Sequence, residues 1–208
     1  MRVVLAVVLF GIFSVAMASN KPQAANPKMT AEERAKIIKS LEDSRKELLD
    51  AIEGLSDAQW NYKPSPFKWS VGEVAEHIAL SEDLLFGAVE RALAAKPDPD
   101  WETKTKEKAE LLERILPNRV GRAQAPEMIQ PRGKMTRAEI VAHFKESRAK
   151  TIKFAEQTDL PLKAHTLDHP FKIFSTLNAY QWLSYIPLHH IRHNKQLAEV
   201  KANAAFPK

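Results

Sequence analysis

Ser70-Val71-Gly72-Glu73-Val74-Ala75-Glu76-His77-Ile78 decides how this chain is read. A serine followed three residues later by glutamate is the reciprocal cap of a helix start, each side chain satisfying a backbone N–H that the first turn leaves open. Val74, Ile78, Leu84 and Leu85 then recur near helical spacing, which predicts a helix from Ser70 to about Ala95. His77 falls two turns inside it, on an element rigid enough to aim an imidazole.

The same signal repeats on either side. Thr30-Ala31-Glu32-Glu33 opens a first helix whose apolar residues Ile37, Leu41, Leu48 and Ile52 continue to Gly54. Residues 55–68, with Trp60, Tyr62, Pro64 and Pro66, read as an irregular connection with anchoring aromatics. Thr136-Arg137-Ala138-Glu139 opens a third helix with Ile140, Phe144, Thr151 and Ala155 on its inner face, ending near Thr158. A fourth runs from about Ser175 to Val200; Pro187 inside it predicts either a kink one turn before His189 or the start of a new helix. Between helices two and three, Pro97, Pro99, Pro117, Pro126 and Pro131 mark a long crossover holding one short charged helix, Lys104 to Leu116. No stretch alternates with period two, so no strand is needed. The expected fold is an all-α four-helix bundle over residues 30–200, with a long crossover between helices two and three and a tail at 201–208.

The amino terminus reads differently. Met1-Arg2, an apolar run from Val3 to Val15 and Ala16-Met17-Ala18 have the order of a secretory signal peptide, residues 1–18, followed by a polar tether at 19–29. Cleavage there lowers the net charge from +5 to +4. The run is too short to span a bilayer, which takes about 20 apolar residues, so no stable membrane anchor is expected. Export means the periplasm in a Gram-negative cell and the extracellular space otherwise. With 0 Cys in the chain, disulfides, thiolate metal ligands and a cysteine nucleophile are excluded. Basic residues are interspersed with acids, which argues against nucleic-acid binding.

Leu188-His189-His190-Ile191-Arg192-His193-Asn194-Lys195-Gln196 carries the chemistry. His189 and His193 lie one turn apart on one helix face, so both imidazoles can reach one cation, with His77 as third ligand. Three neutral nitrogens leave positions open for water or substrate and leave a divalent ion, zinc or nickel, acidic enough to activate either water or a thiol. His190, rotated about 100° from His189, is expected at the surface or behind the ligands. Gln196 is placed to accept the remaining N–H of His193 or to sit exposed; Glu73 could do the same for His77, although its cap role explains it better. Trp182 and Tyr185 share the face of His189 and read as core, with the Tyr185 hydroxyl a candidate donor to an oxygen at the metal. His143 is expected at the surface, and the pair His165 and His169 lies in a proline-flanked stretch where helical spacing has no meaning. No Ser/His/Asp arrangement, His-Glu-x-x-His motif or phosphate loop is present.

Leu55-Ser-Asp-Ala-Gln-Trp-Asn-Tyr-Lys-Pro64, Trp69-Ser-Val-Gly-Glu-Val-Ala-Glu-His77 and His189-x-x-x-His193-x-x-Gln196, in this order across Thr30 to Val200, resemble the DinB-like superfamily. The resemblance implies a four-helix bundle with a divalent metal on His77, His189 and His193. It also implies kinship with metal-dependent thiol-S-transferases, beside many relatives without assigned activity, and makes a homodimer an expectation. An export signal is unusual for that family, whose members work where small thiols are abundant. The expected function is therefore an exported metal-binding protein that activates water or a small thiol toward a small-molecule substrate. The alternative is a noncatalytic bundle that binds metal or a small molecule.

Overall fold

The computed structural model describes residues 25–119 and 124–208; the signal peptide read at 1–18 lies outside them, as do residues 19–24 of the tether. Four long helices form the body: α1 (Ala31–Ile52), α3 (Val71–Ala94), α6 (Arg137–Gln157) and α7 (Ala179–Lys201). All four carry the reciprocal cap, at Thr30/Glu33, Ser70/Glu73, Thr136/Glu139 and Asn178/Gln181. α7 packs on α3 and α1, and α6 packs on the same two helices from the other side.

Apolar side chains fall into two clusters, one with Leu41, Leu85, Val89, Ile152 and Leu183, the other with Leu48, Ile78, Ile140, Phe144 and Leu197. Along α1 and α7 the first cluster precedes the second; along α3 and α6 the order reverses. The bundle is therefore down-up-up-down, and α3 and α6 run parallel. Parallel neighbours require the chain to travel back along the bundle, and the 24 residues of α3 alone span about 36 Å. That is why the crossover is long.

The returning segment is folded, though not as one helix. α4 (Trp101–Thr105) and α5 (Lys108–Ile115) replace the single helix expected over Lys104 to Leu116. Glu107 takes a left-handed conformation (φ 59°) that breaks the helix, while buried Thr105 ties the segment down by accepting from Asn178 through its hydroxyl (3.0 Å) and from Gln181 through its carbonyl (2.9 Å). A single 3-10 turn at Glu127–Ile129 then packs on α3.

Three further expectations are corrected. The connection at 55–68 contains a five-residue helix, α2 (Asp57–Asn61), with its own Ser56/Gln59 cap. Its Trp60 anchors as expected, lying so close over Gly72 that a Cβ there would meet the indole at 2.3 Å. Strands do occur: β1 (Thr166–Asp168) and β2 (Thr176–Asn178) pair antiparallel, Leu167 opposite Leu177, but three residues are too few to display alternation. Consequently α7 begins at Ala179 rather than Ser175, and it continues unbroken through Pro187, which does not start a new helix.

Candidate metal centre

His77 stands on the second turn of α3, and His189 and His193 on the middle of α7. One ligand nitrogen from each lies within 4.8 Å of the other two, and the ring centroids are 4.5 to 5.3 Å apart. The crossover fixes the first ring: Nδ1–H of His77 donates to the carbonyl of Ile129 (2.8 Å), since a carbonyl only accepts, and Nε2 is left with its lone pair. On His193 the same role falls to Gln196, whose Oε1 accepts from Nδ1 at 2.9 Å. Arg119 donates to that oxygen as well (3.2 Å) and holds Glu199 with a two-point fork, 3.0 Å on each arm. Nδ1 of His189 is buried with no hydrogen-bond partner.

Burial keeps all three rings unprotonated. It pushes His77 down to about 4, with the Ile129 carbonyl opposing. It pushes His193 down to about 3, helped by His77 and opposed by Gln196, and holds His189 well below the ordinary imidazole range. Neutral nitrogens facing a common centre, two of them with the outer N–H fixed by a carbonyl oxygen, fit a divalent cation. Trp69 covers one side, its ring centroid 4.8 Å from that of His77 and 6.4 Å from that of His193. Tyr185 covers another, stacked on His189 at 6.1 Å.

The model of the DinB superfamily matches residues 40–197. The chain belongs to that superfamily. It is 26% identical over 164 residues to the uncharacterized protein YuaE of Bacillus subtilis (strain 168), an alignment covering 76% of this chain and 93% of YuaE. Its fold is similar to that of YfiT from Bacillus subtilis, described as a probable metal-dependent hydrolase with an unusual four-helix bundle topology. The TM-score is 0.53 at 16% identity, over 90% of this chain and 94% of YfiT. In this DinB chain the down-up-up-down path brings α3 and α7 side by side, which is what lets a histidine of the second bundle helix meet two of the fourth.

The remaining sequence candidates separate cleanly. Glu73 stays with its cap, accepting from the Ser70 N–H (2.8 Å) and pairing with Lys63 (2.6 Å), so it does not orient His77. His143 lies beside Asp83 at 2.9 Å, away from the centre. His165 faces the Ala95 carbonyl. His169 sits inside an aromatic stack with Trp182 at 4.8 Å and Tyr185 at 5.4 Å. His190 is not at the surface: it is fully buried, turned about 100° around α7 from His189, with the two ring centroids 6.0 Å apart. There Arg148 donates to its Nδ1.

That arginine was not anticipated. Arg148 of α6 also pairs with Glu82 of α3, both side chains 0% exposed, and donates to the Leu41 carbonyl (2.5 Å) and Ser44 hydroxyl (2.9 Å) of α1. One guanidinium thus touches all four bundle helices, in the polar layer between the two apolar clusters.

Proposed function

We propose that this chain is an exported metal-dependent enzyme whose three imidazoles, His77, His189 and His193, hold a divalent ion that acts on a small-molecule substrate. The observation that carries the reading is the convergence of three unprotonated ring nitrogens within 4.8 Å, two of them with the opposite ring nitrogen already committed to a protein acceptor. A metal held by three neutral ligands supplies Lewis-acid activation of a water or small thiol. Zinc and nickel suit such a donor set. The protein's own residues do the rest: Ile129 and Gln196 fix the tautomers, and Trp69 and Tyr185 shield the rings from solvent. The description of YfiT as a probable hydrolase makes hydrolysis the first reaction to try. Export rests on the Met1–Ala18 pattern and a homodimer on the family resemblance, and neither nucleic acid nor a membrane has a role in the proposal.

The test is turnover by the mature protein reconstituted with zinc or nickel, against ester, amide and thiol-transfer substrates. Activity should appear with metal and vanish in His189→Ala; equal activity in that variant contradicts the proposal.

A second reading, a metal- or ligand-binding bundle without turnover, is favoured by one observation: among the described residues no carboxylate joins the imidazole cluster to serve as a base. Stoichiometric metal binding with no turnover across that panel would select it.

A further inference from the structure

Glu76 precedes His77 on α3, and it is buried. Both carboxylate oxygens are engaged by the crossover: Oε1 accepts from the Arg132 N–H (3.2 Å) and Oε2 from the Gly133 N–H (2.9 Å). Two successive N–H groups converging on one carboxylate are an anion-binding nest, and Gly133 supplies the left-handed conformation (φ 61°) that such a turn favours. The guanidinium of Arg132 points elsewhere and pairs with Glu127 at 3.0 Å. Glu76 is therefore met by backbone donors of the turn, not by the charged end of the residue it touches.

The stretch held in this way is the one that orients an imidazole. Ile129 accepts from Nδ1–H of His77 at 2.8 Å. Its own N–H donates back to Pro126 (3.1 Å) and that of Gln130 to Glu127 (3.2 Å), so the carbonyl belongs to a tight turn, and the Glu127–Arg132 pair joins that turn to the nest. Consecutive residues of α3 thus grip one short piece of the crossover in opposite senses, Glu76 accepting and His77 donating. The side-chain type follows from the same geometry. Donors facing both ends of the group require an acceptor at each end, which a carboxylate offers and a carboxamide does not. A carboxylate buried without such partners would be costly, so the turn and Glu76 hold each other.

We propose that Glu76 is a positioning residue of the metal centre: by holding the turn at Arg132 and Gly133 against α3 it keeps the Ile129 carbonyl in place for Nδ1–H of His77, and so keeps Nε2 of that ring turned toward His189 and His193. This rests on the metal-dependent reading given above. The carboxylate that serves His77 is thus not Glu73, which stays with its cap, but the residue next to the ligand, and it acts through the chain rather than on the ring.

The experiment uses the full chain and two readouts: NMR of the histidine rings without metal, and zinc affinity in competition with a chelator. The metal-free parent should show His77 as the Nδ1–H tautomer with that proton protected from solvent. In Glu76→Gln the carboxamide nitrogen faces one of the two N–H groups, and the His77 proton should exchange about tenfold faster. Zinc should weaken about tenfold, the low end of the effect of losing an outer partner of a ligand, since the action is one step removed. Gly133→Ala strains the same turn from the crossover side, where a Cβ meets nothing within 4 Å, and should move both readouts in the same direction, which covers a glutamine variant that fails to fold. Arg132→Ala keeps its backbone N–H and should leave both at parent values. A folded Glu76→Gln with unchanged His77 exchange, or with parent affinity where the parent binds zinc, overturns the proposal, as does Arg132→Ala reproducing its effect. The two ideas fail separately: a parent that binds no zinc while Glu76→Gln still releases the His77 proton defeats only the metal reading, and a parent that binds zinc while both readouts stay fixed in Glu76→Gln defeats only the positioning role.

Discussion

His189 and His190 are neighbours in the chain and belong to two opposite kinds of polar centre. His190 joins Arg148, Glu82 and Ser44 in a layer sealed between the apolar clusters. About 100° around the helix, His189 joins His77 and His193, three rings with a ligand nitrogen each within 4.8 Å of the other two. In the first centre the protein brings the positive charge itself and surrounds it with acceptors. In the second it supplies unprotonated ring nitrogens, the donor set that the proposed cation requires.

The comparison breaks most visibly at Arg148. Replacing it with methionine strands the buried Glu82 carboxylate and should cost about 3–5 kcal/mol in denaturant unfolding, while the double variant Arg148→Met/Glu82→Leu should recover much of the loss. A single variant as stable as the parent would show that the layer is not an ion pair. Acid comes next. Burial lowers His77 to about 4 from its ordinary 6.5, so the folded state refuses a proton that the unfolded chain accepts. His169, pushed down to about 4 by burial, adds to this. Stability without metal should be complete above about pH 6.5 and decline as pH falls toward 4; melting temperatures that stay flat across that window would contradict the burial of unprotonated rings. The smallest effect belongs to Gln196. Gln196→Ala frees the His193 tautomer and should weaken zinc about 10- to 100-fold in competition with a chelator, leaving apo stability nearly unchanged.

What was legible in the sequence follows from which signals are local. The caps at Thr30, Ser70 and Thr136 mark three of the four long helices because a cap is written in four consecutive residues. The caps Ser56/Gln59 and Asn178/Gln181 obey the same pattern, and reading glutamine as the equal of glutamate there would have located α2 and the true start of α7. The His189/His193 spacing was readable for the same reason, and the order of motifs added His77. Ile129 was not, because it acts through a backbone carbonyl and its side chain carries no sign of the role. Nor was Arg148: within Lys145-Glu146-Ser147-Arg148 it looks like one more solvated charge, and only the packing of α6 on both α1 and α3 turns it inward. Arg119 reaches Gln196 across 77 positions of sequence, a contact that no helical periodicity encodes.

The most direct measurement is metal content by elemental analysis of protein purified in its native fold, alongside His189→Ala. About one divalent ion per parent chain and almost none in the variant is the predicted result. A parent chain that takes up no zinc or nickel at pH 7, or a variant that keeps its full complement, would contradict the idea that these three rings exist to hold a cation.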